Sequence, residues 1–176
     1  MTSQHVLNPT AASLLGFLHD GPQTGWDLVS TARLRIGDFW TLTRSQVYRE
    51  LAAMSDAGLV TAGERGPRDR RPYALTDAGR AAFEAWLDAG PGDETIRVPL
   101  LLTLTFGRHL PAARRAEVLA EHRDRRAQRL TRYRNLAEDL EGSDAFAEAA
   151  LAFGIAYEEA TLAWFDALPP EVTGER

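Results

Sequence analysis

The fold of this chain is decided by residues 41–76, which read TLTRSQVYRELAAMSDAGLVTAGERGPRDRRPYALT. After Thr43, the apolar residues Val47 and Leu51 recur at helical spacing. The Thr43 hydroxyl is suited to accept a hydrogen bond from a free N–H of the first turn. The pattern therefore predicts a helix that begins after Thr43. We expect it to end at Gly58, because glycine adopts the left-handed conformation that closes a helix at little cost.

Two short strands are predicted after this helix, over residues 59–61 and 73–75. The intervening residues 64–72 contain too much glycine and proline for regular structure. Because Pro72 lacks an N–H, we expect the second strand to pair only from Tyr73 onward. A helix, a strand, a basic loop and a strand in this order are typical of a helix-turn-helix with a wing.

Side chains that hydrogen-bond base edges and phosphates occupy the outer face of this helix and the wing. The candidate DNA-binding residues are Thr43, Arg44, Ser45, Gln46, Tyr48 and Arg49 on the helix and Arg65, Arg68, Arg70, Arg71 and Tyr73 in the wing. For Tyr48, partial burial against the wing with only its hydroxyl reaching a phosphate is an equal alternative. The segment 65–71 carries a charge of +3 inside a chain of net charge −5, so the basic residues are concentrated where phosphates would lie.

Three motifs in the first half resemble the PadR-like family of transcriptional regulators. They are AASLLGFLHDGPQTGWD (residues 11–27), SQVYRELAAMSDAGLV (45–60) and RPYALTDAG (71–79). Trp26 stands where that family usually carries tyrosine. PLLLTLTFG (99–107) and AYEEATLAWF (156–165) are similar to the family more loosely. The resemblance implies a dimeric repressor that binds double-stranded DNA and that, in some members, is released by a small molecule.

The predicted fold is mainly α, a winged helix-turn-helix head with a two-stranded wing followed by an all-α module. We assign residues 1–89 to a DNA-binding domain, 88–93 (DAGPGD) to a linker and 94–176 to a helical dimerisation domain. The other helices are expected over residues 10–20, 24–36, 77–87, 96–106, 111–140 and 143–168. The predicted caps are Thr10, Thr76 and Ser143, and the second of these helices is expected to start near Thr24. Pro111 is the first residue of its helix, and the tail 171–176 is expected to fray.

The predicted helix 111–140 is strongly basic. Residues 114–134 contain eight arginines and three acids, whereas residues 138–166 contain eight acids. We favour a solvated helix with i,i+4 pairs such as Glu121 with Arg125. The alternative is that this surface pairs with the acidic final helix of the same or another subunit. Glu158 and Glu159 are interpreted as surface charge.

The final helix is apolar around most of its girth, which predicts burial on more than one side. In a module this small, a second subunit is the simplest cover, so we expect a homodimer. The candidate interface residues are Leu119, Leu130, Phe146, Phe153, Tyr157, Ala160 and Trp164.

Several aromatic residues could line a pocket for a flat apolar or phenolic effector. They are Trp26, Phe39, Trp40, Trp86, Tyr157, Trp164 and Phe165. The alternative is that they fill the core, and for Phe39 and Trp40 we favour core filling between the helices.

The sequence gives no support for an enzyme. It has no cysteine or lysine, which excludes thiol catalysis and a P-loop, and its four histidines lack metal-ligand spacing. We therefore expect no catalytic residues, no metal and no cofactor. Without a signal-like start or a long apolar run, we expect a cytoplasmic protein with no membrane partner. The alternative function is a dimeric winged-helix module that binds proteins and does not read DNA.

Overall fold

The computed structural model describes residues 7–37, 39–66, 70–93 and 96–174. The chain forms two compact units, Met1–Glu94 and Thr95–Arg176. The first unit contains α1 (Pro9–Leu18), β1 (Gln23–Thr24), α2 (Gly25–Arg35), α3 (Arg44–Asp56), β2 (Val60–Ala62), β3 (Pro72–Leu75) and α4 (Asp77–Asp88). The second contains α5 (Pro99–Thr105), a 3-10 turn (Gly107–His109), α6 (Ala112–Leu140), α7 (Ala145–Asp166) and α8 (Pro170–Thr173).

The core of the first unit lies between α1, α2 and α3. The predicted inward face of α3 is confirmed, because Val47, Leu51 and Met54 are fully buried. They pack with residues such as Leu14 of α1 and Leu28 of α2. Burial of this stripe stabilises the unit and leaves the opposite face of α3 to solvent.

The predicted threonine caps at Thr43 and Thr76 are confirmed, since each hydroxyl accepts from a backbone N–H of the following turn. Thr24, near which the second helix was expected to start, caps α2 in the same way. The prediction that Thr10 caps α1 is wrong. Asn8 Oδ1 accepts from the Ala11 N–H at 2.9 Å, and Pro9 occupies the first helical position, where no N–H is needed.

The cap of α7 was also assigned one residue too early. Asp144 Oδ1 accepts from the Phe146 and Ala147 N–H groups, whereas Ser143 Oγ donates to the Leu140 carbonyl at 2.6 Å. Since a carboxylate is a charge-assisted acceptor near the positive end of the helix, Asp144 outcompetes its neighbour.

The sheet has three antiparallel strands in the order β1–β3–β2, where the sequence predicted two. The two-residue β1 was missed because it is too short to show alternation. The expectation that pairing starts only at Tyr73 is wrong, since Pro72 pairs with Thr24 and its carbonyl accepts from the Gly63 N–H at 2.8 Å. Proline lacks a donor but keeps its acceptor.

In the second unit α6 and α7 pack as an antiparallel pair, since Arg123 meets Asp166 at one end and Tyr133 lies against Gly154 further along. Four arginines of α6 bond to acids of α7 in the same chain, and they are Arg123, Arg126, Arg129 and Arg134. The favoured interpretation of a merely solvated basic face is therefore wrong.

Glu158 is not surface charge, because it is only 1% exposed. Its Oε1 accepts from Arg126 at 2.9 Å and from Arg129 at 3.3 Å. Its Oε2 is buried without a hydrogen-bond partner among the described residues. Glu159 behaves as predicted, since it is exposed and pairs with Arg134.

The apolar helix α5 buries Leu100 and leaves Leu101 and Leu102 exposed. The C-terminal end of the second unit differs from expectation. The tail is folded through residue 174, because the Arg115 guanidinium donates to the carbonyls of Glu171 and Val172 as well as to Gly107 and Leu110. None of the helices in the described part of the chain has both the length and the hydropathy that a bilayer crossing requires.

Gly79→Ala is expected to destabilise the first unit by about 2 kcal/mol or more. Gly79 is buried at the start of α4, and a Cβ there would overlap the Leu59 carbonyl oxygen and come within 2.8 Å of the Leu75 side chain. Urea unfolding followed by circular dichroism measures the change. Gly92→Ala is the control, since a Cβ at Gly92 meets nothing within 4 Å. Equal stability of the two variants would contradict this account of the glycine.

Candidate nucleic-acid interface

The first turn of α3 is held by a reciprocal capping box between Thr43 and Gln46. The Gln46 N–H donates to Thr43 Oγ1 at 3.3 Å. In return Gln46 Oε1 accepts from the Thr43 backbone N–H and from Thr43 Oγ1, both at 2.8 Å. The box orients the leading end of α3, where Thr43, Arg44 and Ser45 are exposed.

Tyr48 lies one turn further along the outer face of α3. Its ring packs on Gly25, the first residue of α2, so closely that a Cβ there would come within 2.8 Å of the ring. The Arg44 guanidinium carbon lies 5.5 Å from the ring centroid. The predicted partial burial of Tyr48 is therefore present, but the contact is with the start of α2 and the ring is still 40% exposed.

Arg49 and its neighbour Glu50 connect α3 to the start of α1. Arg49 Nη2 lies 3.1 Å from Glu50 Oε1, and the Asn8 side-chain amide donates to Glu50 Oε2 at 3.0 Å. Glu50 is buried, which the sequence analysis missed because it treated only apolar positions as inward. The buried carboxylate restrains Arg49 while leaving its guanidinium largely exposed.

The base of the wing is fixed by two arginines in different ways. Arg70 stacks on Trp26, with its guanidinium carbon 5.1 Å from the ring centroid. Arg71 Nε donates to the Gly63 carbonyl at 3.0 Å, so it also closes the hairpin. Arg65 is exposed, and Arg68 lies outside the described residues.

Tyr73 differs from the other wing candidates because it lies in the middle strand of the sheet. It pairs with Gln23 of β1 and Ala62 of β2 and packs against the core of the unit. Its ring is half-buried rather than projecting from the wing tip.

The start of α2 joins the recognition helix to the wing. Gly25 contacts Tyr48 of α3, and the next residue, Trp26, contacts Arg70 of the wing. Arg44 over Tyr48 and Arg70 over Trp26 are therefore two cation–aromatic pairs that are linked through the start of α2. These groups are able to bind phosphates through the guanidinium groups and base edges through the polar groups of α3.

The aromatic residues considered as pocket walls have separate partners. In the first unit Trp86 stacks on Phe83 and packs against the core. Phe39 and Trp40 are 70% and 41% exposed, so the favoured core-filling interpretation is wrong for them. In the second unit Trp164 packs edge-on against Phe165.

A groove of about 450 Å³ lies in the second unit, lined by Ala116, Leu119, Ala120, Arg123, Phe165, Asp166, Leu168 and Thr173. Of the predicted wall residues only Phe165 lines it. The Arg123 guanidinium donates to Asp166 at 2.9 Å on its wall. The groove thus combines apolar surface with one ion pair.

The predicted dimer residues fall into two groups. Leu119 and Leu130 are buried inside their own unit, and Trp164 is partly buried there. Phe146, Phe153, Tyr157 and Ala160 are exposed along one side of α7, where Phe153 and Tyr157 stack with ring centroids 6.4 Å apart. This second group, with Phe146 and Phe153 at 89% and 73% exposure, is called the α7 stripe below.

Two family models match the chain. The one described as the transcriptional regulator PadR-like family matches residues 14–85, and the one described as virulence activator alpha C-term matches residues 96–169. A curated relative, the negative transcriptional regulator PadR of Bacillus subtilis, is 28% identical over 135 residues, which cover 74% of this chain and 70% of the relative.

Two solved structures of Bacillus subtilis PadR share the fold. The complex with operator DNA has a TM-score of 0.77 at 24% identity and covers 91% of this chain and 96% of that one. The complex with p-coumaric acid has a TM-score of 0.70 at 23% identity and covers 94% and 98%. Residues 14–85 therefore place the first unit in the PadR-like family of transcriptional regulators, and the fold of Bacillus subtilis PadR is shared over nearly the whole length of the chain.

Proposed function

We propose that this chain is a sequence-specific DNA-binding repressor that acts as a homodimer on a palindromic operator in the cytoplasm. The observation that carries the proposal is the link that the start of α2 makes between α3 and the base of the wing. Gly25 contacts Tyr48, over which Arg44 lies, and Trp26 stacks with Arg70. Bacillus subtilis PadR, a relative of the same fold, is described in complex with operator DNA, which supports the same partner here.

The recognition helix fits this role because its two faces are fully separated. Val47 and Leu51 are fully buried on one face, so α3 cannot rotate without exposing the core. The solvent-facing side carries Arg44 and Arg49, with the partly buried Gln46 at its edge, and these residues suit base edges and phosphates in a major groove.

The wing contributes positive charge rather than base reading. Arg70 is restrained by its stack on Trp26, so less side-chain entropy is lost when it binds a phosphate. Arg71 has a second task, because its bond to the Gly63 carbonyl holds the hairpin. Arg70 is therefore the cleaner probe of the phosphate contact.

A dimer is needed because one recognition helix makes too few contacts for tight specific binding, and two heads on successive major grooves would lie roughly 34 Å apart. The α7 stripe supports this part of the proposal. Its phenylalanines are large apolar side chains with most of their surface in solvent, and contiguous apolar surface of this kind marks an interface.

A small-molecule effector completes the proposal. The groove of about 450 Å³ in the second unit has the volume of ordinary ligand sites. Its apolar wall at Leu119 and Phe165 suits an aromatic ring, and a ligand carboxylate would bind Arg123 by displacing Asp166. The p-coumaric acid complex of Bacillus subtilis PadR makes phenolic acids the first class to test.

The first experiment is a gel-shift with the DNA upstream of the gene for this chain. We expect one retarded species that survives an excess of unrelated DNA. If the full chain retards no DNA even at low salt, the alternative of a winged-helix module that binds proteins replaces this proposal.

Arg70→Ala is expected to weaken binding to all DNA sequences and to reduce the slope of log K against log salt by about 1, because one phosphate contact is lost. Titrations at several salt concentrations measure both effects. Arg35→Ala is the control, since Arg35 lies at the far end of α2 and pairs with Asp20. If Arg70→Ala combined with Arg71→Ala bound as tightly as the parent at every salt concentration, the wing would have no role in binding.

Phe153→Glu is expected to convert the dimer to a monomer, because a carboxylate in the α7 stripe would be buried against a second subunit. Light scattering after gel filtration gives the mass directly. Gln128→Glu on α6 is the control, because Gln128 is exposed and lies outside both the α7 stripe and the ion pairs between α6 and α7. A dimer that persists in Phe153→Glu would place the interface elsewhere.

Addition of p-coumaric acid is expected to release the chain from its DNA in the gel-shift. Ala120→Trp should abolish the response while DNA binding is kept, because the indole would fill the groove that Ala120 lines. A response in Ala120→Trp equal to that of the parent would exclude this groove as the effector site.

A further inference from the structure

We propose that Gln46 reads its base as a hydrogen-bond donor only and thereby specifies guanine at one position of each half-site. The inference rests on the proposed DNA-binding function and adds the chemistry of one contact. It starts from the capping box, in which Gln46 does two things at once. It closes the start of α3, and it carries an amide on the face that the proposal assigns to the groove.

The acceptor half of that amide is fully used. Gln46 Oε1 accepts from the Thr43 backbone N–H and from the Thr43 hydroxyl, each at 2.8 Å. A carbonyl oxygen has two lone pairs, so both are engaged. The orientation of the amide is fixed by chemistry, because a backbone N–H is able only to donate and the atom facing it must be the oxygen.

The donor half remains available. No hydrogen bond from Gln46 Nε2 is formed among the described residues, and the side chain is only partly buried. Gln46 therefore presents two N–H hydrogens and no acceptor to a ligand. The neighbouring Ser45 does not have a free donor in the same way. The Thr43 hydroxyl donates its proton to Gln46 Oε1, so in the 3.2 Å contact between the Thr43 and Ser45 hydroxyls it is Ser45 that donates.

Because Gln46 has free donors and no free acceptor, it selects a different base from an unrestrained glutamine. A glutamine with both halves free reads adenine, donating to N7 and accepting from N6. Gln46 could do so only by leaving the Thr43 N–H without its acceptor and opening the first turn of α3. Guanine needs no such opening, because its O6 and N7 are both acceptors in the major groove. Thymine offers one acceptor, O4, beside a methyl group.

The test is selection of duplexes from a random-sequence pool by the full chain, carried out in parallel on the parent, Gln46→Glu and Gln46→Ala. Glutamate at this position keeps the capping box, since a carboxylate accepts from the same two Thr43 donors, but it has no hydrogen to donate. Gln46→Glu should therefore unfold at the temperature of the parent or above it, and Gln46→Ala below it.

In the parent, one position of each half-site is expected to prefer guanine over adenine by about tenfold. In Gln46→Glu the preference at that position should move to cytosine, whose N4 amino group donates. In Gln46→Ala it should disappear. These are changes in relative base preference, so the repulsion between an added carboxylate and phosphates, which lowers affinity for every sequence, does not produce them.

Two results would overturn the inference while leaving the proposed function intact. Identical consensus sequences from the parent and Gln46→Glu would show that Gln46 touches no base. An A·T pair at the position that depends on Gln46 would show that the box opens on DNA or that thymine is read. If the parent enriches no sequence at all, sequence-specific DNA binding fails, and the inference fails with it.

Discussion

The burial of one face of α3 against α1 and α2 is the constraint on which the rest of the first unit depends. With Val47, Leu51 and Met54 excluded from water, the rotation of the helix about its axis is fixed, and with it the set of side chains offered to a ligand. Two close approaches then place the neighbouring elements. Gly25 lets the start of α2 pack against the Tyr48 ring of α3, and Gly79 lets the start of α4 pack against the Leu59 carbonyl next to β2.

The charge of the chain is divided between its units in a way that the net value of −5 conceals. In the second unit Arg123, Arg126, Arg129 and Arg134 of α6 are paired with acids of α7, and Glu158 is buried between two of them. In the first unit Arg44 and Arg70 lie over aromatic rings instead of acids. A cation over a ring keeps its charge available to a phosphate, whereas a cation paired with a carboxylate does not. An acidic chain is thus compatible with a surface suited to DNA.

Much of the fold was predictable, because helices with strong periodicity, threonine caps and a Gly/Pro-rich wing loop have local signals. The errors share a physical origin. Asn8 and Asp144 cap helices whose caps were assigned to nearby hydroxyl residues. Neighbouring side chains compete for the free N–H groups at a helix start, and only the three-dimensional structure shows which of them is best placed to accept. Glu50 and Glu158 were missed as buried because only apolar positions were treated as inward, and Asn8, Arg126 and Arg129, which bond to these buried carboxylates, lie far away in sequence. Within the candidate site, the helical period predicted which residues of α3 are exposed. It did not predict that Gly25 and Trp26 link α3 to the wing.

The sequence by itself determined the order of the elements, the inward face of α3, the basic character of the wing and, through its motifs, the family. These properties depend on local spacing and residue type, which a linear pattern records. Only the tertiary structure decided which arginines are neutralised, which aromatic rings stay in solvent and which half of the Gln46 amide is free. Each of those depends on a distance between atoms on different turns or different elements, and hydrogen bonds and ion pairs are decided by such distances rather than by composition.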